Sequence, residues 1–193
     1  MRVIAGKVKG FKLDRVPGDV TRPIMDKVKE SLFNIIAPYI GEADFLDLFA
    51  GTGSVGIEAL SQGAKFVRFI DRDRNAIKTV LRNLEHTRLT EEAEVWRMDA
   101  FNFLQREPDR QFDFIYVAPP QYKGLWVKAL KMIDKNPGWL FDDTWVIAQI
   151  DVVENQELEL ENLVLFGHRE YGSTKLLFYC RPSEDETSEG WEN

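Results

Sequence analysis

The feature that most constrains the fold is an alternation of short apolar segments with segments of helical periodicity in the middle of the chain. The apolar segments have the length and composition of β-strands, and the segments between them repeat apolar residues every three or four positions. Strands that alternate with helices form parallel pairs through right-handed crossovers. The sequence therefore predicts an α/β fold with a doubly wound, mostly parallel sheet. Its first four strands are predicted at DFLDLFA, KFVRFID, AEVWRMD and FDFIYVA.

Both ends of the chain depart from this alternation. The last two strand-like runs, LVLFGHREYG and STKLLFYCRP, are separated by a short turn and predict an antiparallel hairpin at one edge of the sheet. Residues 1–20 alternate in polarity and predict a basic β-hairpin extension. The stretch 21–40 predicts a helix capped by Thr21. We expect one domain over 1–182, with its core over 41–182, and an acidic, disordered tail over 183–193.

The charge of the chain is unevenly distributed. The net charge is −7, yet residues 1–29 carry eight basic and three acidic side chains. A basic segment on an acidic chain indicates a localised contact with a polyanion such as a nucleic acid. The alternative is a solvated surface hairpin without a partner.

Composition excludes several kinds of site. A single cysteine, Cys180, rules out an internal disulfide and a CxxC metal site. The two histidines, His86 and His168, are far apart in sequence, so we expect no metal. The first residues lack the apolar core of a signal peptide, and no apolar run approaches the ~20 residues of a membrane helix. We expect no membrane contact and a cytoplasmic location.

A glycine loop follows the first predicted strand. Gly51, Gly53 and Gly56 have GxGxxG spacing, which suits close approach of a ligand to the start of a helix. Asp71 closes the second strand, where a carboxylate can accept from both ribose hydroxyls. These features alone fit NAD and S-adenosylmethionine (SAM) equally well.

Two further acids favour SAM. Asp47 stands just before the loop, where it would repel a pyrophosphate and attract the ammonium and sulfonium groups of SAM. Asp99 closes the third strand, where it can accept from an adenine amino group beside the backbone N–H of Ala100. The alternative role of these aspartates is helix capping. The predicted cofactor-binding residues are Asp47, Phe49, Gly51, Gly53, Asp71, Arg72, Asp99 and Ala100.

With these residues the chain resembles the class I SAM-dependent methyltransferases. More narrowly, it is similar to the bacterial 16S rRNA (guanine-N2)-methyltransferase family of the guanine-966 type over residues 1–182. The segments that carry the resemblance are RVIAGKVKGFKL, TRPIMDKVKESLFNII, DLFAGTGSVGIEALSQGA, FIDRDRNA, MDAFNFL and YGSTKLLFY.

The resemblance implies a Rossmann-like, seven-stranded sheet with an N-terminal β-hairpin extension, and SAM as the cofactor. It implies methyl transfer to the exocyclic N2 of a guanine in 16S rRNA, within the small ribosomal subunit or its assembly intermediate. The partners would be 16S rRNA and small-subunit proteins, and the chain would act as a monomer. The predicted substrate-binding residues are Arg2, Lys7, Lys9, Lys12, Arg22, Tyr171 and Lys175.

One motif departs from the family. The resemblance leads us to expect DPPY after the fourth strand, whereas this chain has APPQY, with Ala118 in the acid's position and Gln121 inserted before Tyr122. An exocyclic amino group is a poor nucleophile because its lone pair is conjugated into the ring, and acceptors that hold its hydrogens promote attack. The predicted catalytic residues are Ala118, Pro119, Pro120, Gln121 and Tyr122.

Loss of the acid removes one acceptor, at a cost of ~1.5–3 kcal/mol, or about 10–100-fold in rate. The backbone carbonyls of Ala118 and Pro119 remain, Gln121 is a possible substitute, and Tyr122 or Trp126 can stack on the base. Three alternatives stay open: an adenine-N6 methyltransferase, an RNA-binding member without catalysis, and an NAD-dependent enzyme, which Asp47 disfavours.

Overall fold

The computed structural model describes residues 1–18 and 25–182. Its seven strands are β1 Asp44–Asp47, β2 Phe66–Asp71, β3 Ala93–Arg97, β4 Phe112–Val117, β5 Leu140–Asp151, β6 Val164–Tyr171 and β7 Thr174–Cys180. Its α-helices are α1 Asp26–Ile36, α2 Ser54–Ser61, α3 Arg74–Thr87, α4 Ala100–Leu104 and α5 Leu125–Lys135.

The strands form one sheet in the order β3-β2-β1-β4-β5-β7-β6. The first five strands are parallel, and β7 is antiparallel to both β5 and β6. The predicted Rossmann-like sheet with an antiparallel hairpin at its edge is therefore confirmed. The strand order reverses between β1 and β4, and in open α/β sheets ligands bind at the carboxyl ends of the strands beside such a reversal.

Helices cover both faces of the sheet because adjacent strand residues point to opposite sides. Phe45 belongs to the cluster that α1, α2 and α3 form, whereas its neighbour Leu46 belongs to the cluster that α4 and α5 form. Both side chains are fully buried. Parallel strands with two apolar faces are typical of this architecture.

The N-terminal segment, residues 1–18, folds back on itself and lies along α2. A single antiparallel bridge joins Arg2 and Lys12, so within the described residues the predicted hairpin lacks two regular strands. Gly6 has φ +82°, and a Cβ there would lie 1.8 Å from the carbonyl oxygen of Ser61. Only glycine fits this contact between the segment and the end of α2.

A buried ion pair fixes the same segment. The side chains of Lys29 and Glu58 are 0% exposed, and Lys29 Nζ lies 3.1 Å from Glu58 Oε2. Glu58 also accepts from the backbone N–H groups of Ile4 and Ala5. Lys29 donates to the carbonyl of Arg2 at 2.7 Å. Because each charge is compensated by the other, removal of either side chain would leave an uncompensated buried charge.

The first helix is shorter than predicted. It begins at Asp26, since Met25 before it has extended backbone with ψ 139°, and it ends at Ile36. The predicted bounds of 21–40 are therefore wrong for this helix. Thr21 and the rest of 19–24 lie outside the described residues, as does the predicted tail over 183–193. Within the described ranges, no helix combines the length and the apolar composition needed to cross a bilayer.

Candidate functional site

The glycine loop connects β1 to α2 at the carboxyl edge of the sheet. Gly53 immediately precedes the first residue of α2. A Cβ on Gly56 would lie 2.3 Å from the ring of Phe69, so this glycine allows α2 to pack directly on β2. The close packing places the start of α2 at the edge where ligands bind in such folds.

Asp71 joins the loop to the end of the second strand. Its Oδ2 accepts from the backbone N–H of Gly51 at 2.9 Å, and its Oδ1 accepts from the N–H of Asp73 at 2.8 Å. Burial raises the pKa of Asp71, and the two hydrogen bonds oppose that rise. Each carboxylate oxygen has a second lone pair, so Asp71 retains the capacity to accept from ribose hydroxyls.

Asp47 lies beneath the loop and is 1% exposed. Its Oδ2 accepts from the N–H of Gly56 in the first turn of α2 at 3.2 Å. The pKa of Asp47 is raised to about 7, mainly because burial disfavours its charged form; the hydrogen bond from Gly56 opposes this rise, and the charge of Asp71 contributes to it. A carboxyl that is costly to ionise in the free protein favours a cationic ligand group and disfavours a pyrophosphate.

Asp99 is the N-cap of α4. Its Oδ1 accepts from the N–H groups of Phe101 at 2.9 Å and Asn102 at 3.2 Å, so it has the capping role considered as the alternative. Among the described residues no donor is bonded to Oδ2, which leaves that oxygen for a ligand. Ala100 is buried at the start of the helix.

Of the other two predicted cofactor residues, Phe49 is half-buried and Arg72 is exposed. The rings of Phe49 and Phe101 meet edge to face with centroids 6.1 Å apart, which connects the segments after β1 and β3. Arg72 is exposed beside Asp71. The structure thus brings the segments that hold the predicted cofactor residues to three adjacent strand ends at one edge.

The two-proline corner begins directly after β4. Pro119 is buried, Pro120 and Gln121 are exposed, and Ala118 is half-buried. Tyr122 has φ +63° and a side chain that is 67% exposed. Its hydroxyl donates to Oδ2 of Asp151 at 2.9 Å.

Sequence reasoning missed Asp151, which closes β5 and is only 6% exposed. A signal was available, because Asp151 ends the strand-like run WLFDDTWVIAQID just as Asp71 ends KFVRFID. Its position beside the corner depends on the β4–β5 pairing, in which Val117 lies opposite Ala148.

A second missed pair lies one layer below the corner. The hydroxyl of Tyr116 donates to Oε1 of Gln149 at 2.6 Å. Burial raises the pKa of Tyr116 well above its ordinary value, and the charge of Asp47 adds to this. Tyr116 and Ala118, the first residue after β4, both pack in the cluster that α1, α2 and α3 cover, so this pair lies on the same side of the sheet as Ala118.

The predicted substrate residues lie in several places. The side chains of Arg2, Lys7, Lys9 and Lys12 are exposed along α2. Lys7 N–H donates to the carbonyl of Ser61 at the end of α2 remote from the glycine loop, whereas Met1, next to Arg2, accepts from the hydroxyl of Thr52 in that loop. Arg22 lies outside the described residues.

The remaining aromatic and basic candidates have protein partners. The hydroxyl of Tyr171 is hydrogen-bonded to that of Ser31, and Lys175 forms an ion pair with Glu170 at 2.9 Å. Both lie beside the turn between β6 and β7, on the same edge as Asp151, which pairs with Thr174. Trp126 lies in the first turn of α5, is 1% exposed and belongs to the core, so its ring is not available to stack on a base in this structure.

Comparison with known proteins assigns the chain to a family. The profile of the family described as "Conserved hypothetical protein 95" matches residues 1–180. The chain belongs to this family. YlbH of Bacillus subtilis is 43% identical over 185 residues, covering 93% of this chain and 98% of the relative.

Two further relatives extend this assignment. "Ribosomal RNA small subunit methyltransferase D" of Haemophilus influenzae is 38% identical over 154 residues, covering 78% of this chain and 79% of the relative. The solved structure of the Escherichia coli protein yhhF superposes with a TM-score of 0.84 at 32% identity, covering 94% of this chain and 97% of that one. The resemblance inferred from the sequence is thereby confirmed at the level of the family.

Proposed function

We propose that this chain is a SAM-dependent methyltransferase that modifies the exocyclic N2 of a guanine in 16S rRNA. One observation carries the proposal: the glycine loop, the strand-end acids Asp47 and Asp71, and the two-proline corner share the carboxyl edge of one sheet. The names of the small-subunit rRNA methyltransferases among its relatives supply the substrate class.

The cofactor would lie across the ends of β1, β2 and β3. SAM supplies an electrophilic methyl group on a sulfonium. Asp71 would accept from the ribose hydroxyls, Asp99 from the adenine amino group, and Asp47 would balance the cationic end. Phe49 and Phe101 would border the adenine as an apolar wall.

The corner would orient the acceptor. The carbonyls of Ala118 and Pro119, held by the proline rings, would accept hydrogen bonds from the guanine amino group and direct its lone pair toward the methyl donor. Transfer would form the N–CH3 bond as the S–CH3 bond breaks, with S-adenosylhomocysteine as the leaving group, and the cationic nitrogen would then release one proton to water. Orientation beside the donor supplies much of the acceleration, so the missing acid lowers the rate without abolishing it.

The tyrosine of the corner would stack on the target base. The exposed ring of Tyr122 is held by its hydroxyl bond to Asp151 and offers a stacking surface to a base that has left its helix. The exposed Arg2, Lys7, Lys9 and Lys12 would contact rRNA phosphates. We propose that residues 1–182 form one domain, which acts as a monomer in the cytoplasm. Its partners would be the 16S rRNA and the proteins of the small subunit.

The test is methyl transfer from labelled SAM to undermethylated small ribosomal subunits, followed by nucleoside analysis. The proposal predicts N2-methylguanosine, at most one per subunit. N6-methyladenosine would instead establish the adenine-N6 alternative. Measurable SAM binding with no transfer to subunits or rRNA would support an RNA-binding member without catalysis.

A further inference from the structure

A cavity of about 390 Å³ opens beside the corner. Tyr122, Gly124 and Trp126 line it on one side, and residues 153–156, which follow β5, line it on the other. The volume lies within the range of about 300–1,000 Å³ that small-molecule sites occupy. The cavity is therefore large enough for a nucleobase.

The cavity is distinct from the place where the methyl acceptor must lie. Ala118 and Pro119, whose carbonyls would hold the reacting amino group, are not among its lining residues. Tyr122 lines the cavity and is also part of the corner, so its side chain forms a wall of the cavity next to the corner. Positive φ at Tyr122 and the hydroxyl bond to Asp151 define where that wall stands.

The same carboxylate organises the opposite wall. Oδ1 of Asp151 accepts from the N–H of Val153 at 3.1 Å and so fixes the short turn that presents the segment 153–156. Val153 is 75% exposed and adds an apolar surface. Asp151 is thus a positioning residue for both walls of the cavity.

The polar lining selects what can bind. Glu154 places a carboxylate at the wall, which repels a phosphate and accepts from the N–H groups of a base edge. Asn155 and Gln156 add amides that can both donate and accept. The buried Nε1–H of Trp126 has no acceptor within the described part of the chain, and a base oxygen or ring nitrogen that reached it would supply one.

We propose that this cavity holds the base of a nucleotide adjacent in the RNA to the methylated guanine. This inference rests on the proposed function. When the target base is extruded, its neighbour loses a stacking partner, and the second face of the Tyr122 ring can replace that partner. The cavity would then hold the strand in register while the target meets the corner.

The test combines changes in the protein with a change in the RNA. Glu154→Gln and Asn155→Ala are assayed with small subunits that carry either intact rRNA or an abasic nucleotide on one side of the target guanine. Glu157→Gln, an exposed substitution of the same type just beyond the cavity, is the control. Melting temperatures establish that each variant is folded, and SAM affinity is measured separately.

We expect each cavity variant to raise the KM for intact subunits by about five- to tenfold, with kcat, SAM affinity and the control unchanged. With an abasic nucleotide on one side of the target guanine, the KM of the wild-type protein should rise by the same factor. The KM of the cavity variants should not rise further. Unchanged KM in the variants, or effects of protein and RNA that simply multiply, would overturn the inference. Failure of the proposed function is distinguishable, because the wild-type chain would then form no N2-methylguanosine.

Discussion

At the scale of single residues, burial raises the pKa values of the acids at the site. Asp47 is a carboxyl that the fold holds away from water, with one backbone hydrogen bond as partial compensation. Asp71 is less buried and has two such bonds. The two acids therefore differ in how much they gain from a cationic ligand, and this difference is measurable.

SAM affinity should depend on the protonation of Asp47. Its pKa of about 7 is raised above the ordinary value, so the group is neutral below that pH and ionised above it. Because a cationic ligand favours the ionised form, we expect the SAM Kd to fall by up to about tenfold between pH 6 and pH 8. Calorimetry at several pH values measures this.

The Asp47→Asn variant isolates the effect. It should bind SAM more weakly and with a flatter pH profile, since the ionisation of SAM itself is common to both proteins. An identical pH profile in the variant would show that another group is responsible.

Restoring the family's acid tests the corner. In Ala118→Asp a carboxylate would face the reacting amino group from the half-buried end of β4. We expect the methyl transfer rate to be retained or raised, by up to about tenfold. The neutral, isosteric Ala118→Asn variant is the control, and both are compared in single-turnover assays. Loss of activity at an unchanged melting temperature would mean that this corner has a geometry different from that of DPPY.

Residue positions were predictable where strand ends imposed them. Asp47, Asp71 and Asp99 were expected at the carboxyl ends of the first three strands, and all three lie at one edge of the sheet. The contact between Tyr122 and Asp151 was not predicted, because it depends on strand pairing and on a left-handed residue after the inserted Gln121. Neither leaves a local pattern in the sequence.

At the scale of elements, the N-terminal segment depends on α1 and α2 for its position. The strands of the sheet were predictable from periodicity, whereas this segment, despite its alternating polarity, is held by individual contacts to Glu58 and Ser61. That difference explains why the predicted sheet is confirmed, whereas the predicted regular hairpin is not found in the described residues.

The buried ion pair should be essential to that docking. Lys29→Met leaves Glu58 buried without its cation, and we expect a loss of about 3–5 kcal/mol in the free energy of unfolding. Lys27→Met, the same substitution on the exposed face of α1, should change it by less than about 0.5 kcal/mol. Urea denaturation measures both. Equal effects would contradict a specific role for the pair.

The exposed lysines of the segment should act through rRNA phosphates. In Lys7→Gln/Lys9→Gln, the slope of log KM for subunits against log salt should decrease by about 2, while SAM affinity is unchanged. Lys131→Gln/Lys135→Gln on α5 is the matched control, because both lysines are exposed on another element. An unchanged slope would place the rRNA on a different surface.

At the scale of the whole molecule, the sheet gathers separate parts of the chain at one edge. The proposed cofactor residues lie at or just after the ends of β1, β2 and β3, the corner follows β4, and Asp151 ends β5. The topology was predictable because alternating strands and helices permit few arrangements. The conformation of the corner after β4 was not, since it depends on the loops.

A crystal structure with S-adenosylhomocysteine tests this arrangement most directly. We expect the ribose hydroxyls to donate hydrogen bonds to Asp71 and the sulfur to face the carbonyls of Ala118 and Pro119. A ribose bound away from Asp71, or a sulfur directed away from the corner, would contradict it.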